Sequence, residues 1–184
     1  MSRRFNRKMG ALIVIVAALS YPAFPVAAAD KNEAGTAKDD AYAAKVWSYM
    51  LANGLVGEGR MRSFPFVGSR PHGSIQELIA TEAVIDGQRG RLLIKHNYGA
   101  QEELTPASVY SSHPDQHNEP LAIMFQREKG YDPENNDWFW AEYNADGSVF
   151  NYQGANLSGR APLCIGCHSA RGGADREILN GSAK

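Results

Sequence analysis

Trp138-Phe139-Trp140-Ala141-Glu142-Tyr143-Asn144-Ala145-Asp146-Gly147-Ser148-Val149-Phe150-Asn151-Tyr152 is the most informative run in the chain. Its first six residues are dense in aromatics, which suit the pleated, half-buried surface of a strand. Asn144 to Gly147 is turn chemistry, and Ser148 to Tyr152 can pair back, so the run predicts an antiparallel hairpin. Side chains alternate along a strand. Trp138, Trp140 and Glu142 therefore share one face, the tryptophans as core or as the wall of a pocket.

Upstream, the β pattern continues. Residues 130–137 are turn chemistry, and Leu121 to Arg127 predicts another apolar strand. In residues 92–98, Leu92, Ile94, His96 and Tyr98 share one face of a strand, and Leu93, Lys95 and Asn97 the other. Residues 74–86 leave two readings open. Ser74 with Glu77 fits a helical capping box, whereas Ile75, Glu77 and Ile79 fit an alternating strand. Residues 55–73 hold four glycines and two prolines and are expected as loop. Before them, Ala43, Ala44, Val46, Trp47, Met50 and Leu51 recur at helical spacing. Asp39 or Asp40 offers an N-cap and Gly54 a C-terminal glycine, which predicts a helix over 40–53. The expected fold class is α+β, predominantly an antiparallel β-sheet with a few helices.

The front of the chain carries an export signature. Arg3, Arg4, Arg7 and Lys8 precede an apolar run from Ala11 to Leu19, then Pro22, Pro25 and Ala27-Ala28-Ala29. That is the order of a cleavable secretory signal, and the run is shorter than the roughly 20 residues of a membrane span. The division expected is a signal at 1–29, a linker and helix at 30–55, and one main domain at 56–184. Cleavage leaves 155 residues with fifteen basic and twenty acidic side chains, a net charge of −5. A mildly acidic domain argues against nucleic acid as a partner. The expected location is the periplasm.

Downstream of the hairpin lies Cys164-Ile165-Gly166-Cys167-His168, which contains the only two cysteines of the sequence. An exported protein usually spends cysteines on disulfides, but two residues between thiols with a histidine next is the attachment pattern of c-type haem. One turn presents both sulfurs to the vinyl edge of a porphyrin, and the adjacent histidine reaches the iron. Cys164 and Cys167 are thus the expected cofactor-binding residues and His168 the proximal iron ligand, with one covalent haem c. Two rivals are weaker. A redox dithiol is expected near a βαβ pattern, and a zinc site needs a second ligand pair.

Several segments together resemble the cytochrome P460 family: Arg70-Pro71-His72-Gly73, Arg91-Leu92-Leu93-Ile94-Lys95-His96-Asn97-Tyr98, Gly130-Tyr131-Asp132-Pro133, Asp137 to Tyr143, Asp146-Gly147 and Cys164 to Ser169. The resemblance covers residues 60–180. It implies an antiparallel sheet with a few helices, often a homodimer, and a five-coordinate haem with an open distal side. It implies a small nitrogenous ligand or substrate: some members oxidise hydroxylamine on a haem cross-linked to lysine, passing electrons to a soluble redox partner. Relatives of the cytochrome c′-beta type lack the link and bind nitric oxide. The lysine corresponds to Lys95. The chain departs from the pattern between Gly99 and Pro120, and its tail, Ala174 to Leu179, lacks the usual aromatic.

Alternatives stay open around the iron. Lys95 is either linked to the macrocycle or snorkelling from an edge strand. Glu142 is either a proton relay or exposed at a strand end, and Glu102 and Glu103 are weaker relay candidates. Met124, Met61, His72 and His96 are the residue types that could supply a sixth ligand and make an electron carrier. His113 and His117 are four apart, but Pro114 argues for loop.

Overall fold

The computed structural model describes residues 34–68, 70–99, 104–112 and 118–179. The expected signal, Glu102, Glu103, His113 and His117 lie outside the described residues.

The first helix, α1 (Ala37–Ala52), starts one turn earlier than its pattern predicts. Thr36 is the N-cap: the Asp39 amide donates to its hydroxyl, and the Asp39 carboxylate accepts from the Thr36 amide. Asp39 therefore occupies the third helical position of a reciprocal capping box, with aspartate where glutamate is commoner. The buried stripe of Tyr42, Ala43, Val46 and Met50 is turned to the sheet.

Residues 74–86 resolve as strand. Among the described residues eight strands form: β1 (Phe66–Val67), β2 (Ile75–Ile85), β3 (Gln88–Tyr98), β4 (Asn118–Gln126), β5 (Trp138–Tyr143), β6 (Asn151–Tyr152), β7 (Ala155–Asn156) and β8 (Ser158–Gly159). Six make one antiparallel sheet in the order β1-β2-β3-β4-β5-β8, and β6 and β7 pair separately. With α1, α2 (Pro106–Ser112) and α3 (Pro162–Arg171), the fold is α+β with a mostly antiparallel sheet. The helical reading of Ser74 fails because the Glu77 carboxylate is committed elsewhere. It accepts from Arg60, Arg62, Tyr98 Oη and the Ser63 amide.

The hairpin after β5 is only partly as expected. Its turn closes through Asn144 and Ser148, and Tyr143 bridges Val149. The Phe150 amide donates to the Glu142 carbonyl, so the chain pairs back as far as Phe150. Residues 151–152 then turn into β6, and the strand beside β5 is β8, with Ala141 opposite Ser158. The extra excursion through β6 and β7 delivers the chain to α3.

Alternation divides the sheet cleanly. One face packs Ile79, Ala83, Leu92, Ile94, Ile123, Phe125, Phe139, Ala141 and Tyr143 against α1. The other carries Leu93, Met124, Trp138 and Trp140 toward α3, with Ala161, Cys164 and Ile165 against them. The β3–β4 register slips between Lys95 and Asn97. Pro120 lies there, without an amide to donate, and its carbonyl is taken by Asn97 Nδ2 at 2.7 Å. Bulges of this kind re-aim side chains beside sites.

Candidate functional site

Pro162 opens α3 at the first helical position, where its missing amide costs nothing. The helix then sets Cys164, Cys167 and His168 within one turn. Positions three and four apart share a helix face, so the two thiols and the imidazole project together. Both cysteines are free thiols, and His168 is buried. Burial pushes the Cys164 thiol up to about 12.

His168 is oriented with care. Its Nδ1 lies 2.6 Å from the Arg176 carbonyl. A carbonyl only accepts, so Nδ1 carries the proton and Nε2 keeps its lone pair. Burial also depresses the His168 pKa, favouring the neutral ring. A neutral imidazole with one nitrogen anchored and the other free is the form that ligates metal.

The sheet beneath α3 presents two cross-strand rows. Leu93, Met124 and Trp140 stand opposite one another, and so do Lys95, Ala122 and Glu142. The Trp140 ring meets His168 edge-on at 4.7 Å. His72, on the loop before β2, brings its ring within 6.3 Å of His168 and its Nδ1 to 3.7 Å from Glu142. The loop is pinned: the Gln76 side chain donates to the His72 carbonyl, and the Ser74 amide donates to Tyr98. At Gly73, φ +92°, a Cβ would strike the Tyr98 carbonyl, so only glycine lets the loop lie this close.

Burial governs the charges. It lowers Lys95 to about 8, with the Arg171 charge adding to the effect. It raises Glu142 to about 7, and lowers His72 to about 4 with help from Lys95 and His168. Lys95 is only 7% exposed on the third strand of six. That corrects the reading in which it snorkels from an edge strand. Glu142 is likewise covered, not exposed at a strand end.

Two spaces open here. A cleft of about 350 Å³ is bordered by Cys164, Cys167, His168, His72 and Glu142, with Phe150, Leu157 and Leu163 as apolar wall. A narrow cavity of about 20 Å³ beside it touches Lys95, Met124 and Trp140. Two buried polar atoms bordering these spaces, Asn97 Oδ1 and Trp140 Nε1, have no hydrogen-bond partner. Five further buried polar atoms, among them Tyr42 Oη and Tyr131 Oη, are also without a partner among the described residues, so these two count only together with the thiols and the imidazole beside them. Thiols, an oriented imidazole, apolar walls and unsatisfied polar atoms together suit a large, mostly apolar macrocycle with a metal at its centre. Among the described residues, no group of three or more His, Cys, Asp or Glu side chains is arranged to hold a bare metal ion.

The sequence-derived candidates divide accordingly. Cys164, Cys167, His168, Lys95, Glu142, Met124 and His72 converge. His96 does not: it lies on the opposite face, its Nε2 against the Leu55 carbonyl. Met61 is exposed. Arg176 was invisible to pattern reading, because it acts through its backbone. It adopts φ +62°, a left-handed conformation costing a non-glycine residue roughly 1 kcal/mol or more, and it persists where the surroundings dictate it. The glycine pair Gly172-Gly173 was the one available signal. At Gly172 a Cβ would meet the Arg176 backbone at 2.5 Å, so the tail can curl back only over glycine. No protein-family model, curated protein or solved structure matched the chain.

Proposed function

We propose that the chain is an exported c-type cytochrome of the cytochrome P460 type. It carries one haem, bound through Cys164 and Cys167 with His168 as proximal ligand, and binds a small nitrogen species such as hydroxylamine or nitric oxide. The observation that carries the reading is the His168 imidazole: Nδ1 is committed to a carbonyl, and Nε2 is free beside two thiols on one helix turn. The haem would supply a redox-active iron able to bind and oxidise such a ligand.

The chain's own residues contribute position and environment. Phe150, Leu157 and Leu163 give the cleft an apolar wall. Glu142, poised near neutrality, can hold or release a proton at its carboxyl oxygen beside His72. Lys95, its amine partly neutral and its side chain buried, is the residue that a link to the macrocycle would use. Forming a C–N bond at a ring C–H would release two electrons and two protons, which an external oxidant such as a peroxide would have to accept. Electrons leave to a soluble redox partner, and the expected setting is the periplasm.

A second reading, a plain electron carrier, has one observation in its favour. The His72 ring stands 6.3 Å from that of His168, close to the separation of two imidazoles sharing one metal at bonds of about 2 Å each. One set of absorption spectra separates the readings. A five-coordinate ferrous spectrum that changes on adding nitric oxide supports the small-ligand site. A strongly red-shifted ferrous Soret band supports the Lys95 link and hydroxylamine oxidation. A six-coordinate low-spin spectrum unmoved by nitric oxide overturns the ligand site in favour of the carrier.

A further inference from the structure

Residues 172–179, beyond α3, are fastened at four points, two on the sheet and two on the loop before β5. Asn136 Nδ2 donates to the Ala174 carbonyl at 2.5 Å, and Trp138 Nε1 to the Asp175 carbonyl at 2.9 Å. Arg176 Nη2 donates to the Glu134 carbonyl at 3.2 Å. The fourth point is the only one between charges. Arg91 Nε and Nη2 donate to the two carboxylate oxygens of Glu177 at 2.6 and 3.0 Å, across 86 residues of sequence. Such a two-point fork fixes orientation as well as distance, and arginine supplies it where lysine cannot.

The location gives the pair its meaning. Arg91 lies on β3, on the face that carries Leu93 and Lys95. Glu177 is the residue after Arg176, whose carbonyl receives the His168 Nδ1 proton. Glu177 is largely covered, its side chain 10% exposed. A shift of the 176–177 peptide moves the acceptor of His168 directly. The other three fasteners hold residues 174–176 but do not grip the peptide on the far side of that carbonyl.

We propose that the Arg91–Glu177 pair is a positioning device for His168. By fixing the Arg176 carbonyl it sets the strength of the Nδ1–H bond, and so the electron-donating power of Nε2 toward an iron bound there. This rests on the haem reading above. A stronger Nδ1–H bond makes the imidazole a more basic ligand, and a more basic axial ligand favours the ferric over the ferrous state. Neither residue touches the ligand cleft.

The test uses the haem-loaded full chain with Glu177→Gln, which keeps the shape and removes the charge. The expected result is a lower iron–histidine stretching frequency in the ferrous resonance Raman spectrum. The ferric/ferrous equilibrium shifts toward ferrous on the order of tenfold, which is about 59 mV for one electron. Arg91→Lys, keeping the charge without the fork, shifts both readouts less, and the exchange Arg91→Glu with Glu177→Arg restores them in part. If Glu177→Gln does not fold, Arg91→Lys is read against the same expectation. A variant with haem attached, a lowered melting temperature and unchanged frequency and potential would overturn the proposal, leaving the pair a structural staple. A wild-type chain that retains no haem after denaturation overturns the haem reading itself, and the proposal with it.

Discussion

Each face of the sheet buries a carboxylate, and the two are treated in opposite ways. On the α1 face, Glu77 is fully enclosed. Burial alone would raise its pKa, yet hydrogen bonds from Arg62, Arg60 and Tyr98 hold it down at about 2. On the α3 face, Glu142 is half-buried with His72 at 3.7 Å, and burial pushes it up to about 7. The same contrast runs through the neighbours. The α1 face is otherwise mostly apolar, from Tyr42 through Phe139 to Tyr143, with His96 held on the Leu55 carbonyl. The α3 face mixes Lys95, Glu142, Asn97 and Trp140 around the cleft that the two thiols and His168 border. Buried polar groups are stabilising when fully partnered and costly when not. One face therefore answers its buried carboxylate from within the fold, and the other sets its carboxylate beside a cleft that a bound group could fill.

Breaking the α3 side at its chemistry has the largest expected effect. Cys164→Ser with Cys167→Ser abolishes covalent retention of haem entirely, read as loss of haem absorbance on the denatured chain. On the α1 side, Phe139→Ala leaves a cavity in a closed core and costs about 3–5 kcal/mol, measured by denaturant unfolding. The folded fraction keeps an unchanged haem spectrum.

Glu77 sharpens the contrast through pH. Its folded pKa of about 2 lies below its ordinary value near 4.5. The group thus contributes fully above about pH 4.5, and the contribution is lost as pH falls through about 2. The size is on the order of 3 kcal/mol. Glu77→Gln is therefore less stable at pH 7, and the difference from the wild type narrows on acidification. A constant difference from pH 7 to pH 2 would contradict the assignment. The smallest effect is Met124→Leu on the α3 face, a volume-conserving change costing below about 1.5 kcal/mol. It nonetheless moves the haem absorbance bands, because Met124 borders the cavity beside Lys95.

Much of this was legible in the residues. The alternation of Leu93 and Lys95 against Leu92 and Ile94, and of Trp138 and Trp140 against Phe139, gave the two faces correctly, since a side-chain period of two is geometric. The convergence of Cys164 with Cys167 and His168 followed from one helical turn. Long-range partnerships were not legible. Nothing local in Ser74-Ile75-Gln76-Glu77 announces that Glu77 answers Arg60 and Arg62, so its capping-box look was misleading. The second return of the chain, at Ser158, depends on tertiary pairing with β5. The role of Arg176 lies in a backbone carbonyl, which leaves no mark in residue type, and that of Glu177 depends on a partner 86 residues away.

The central claim is that Cys164 and Cys167 hold a haem. Mass spectrometry of the denatured mature chain, produced in a bacterium that exports it and attaches c-type haem, tests this most directly. The account predicts a single species heavier than the polypeptide by one haem, with neither thiol open to alkylation. A chain at the bare polypeptide mass, with both thiols alkylated, would contradict it.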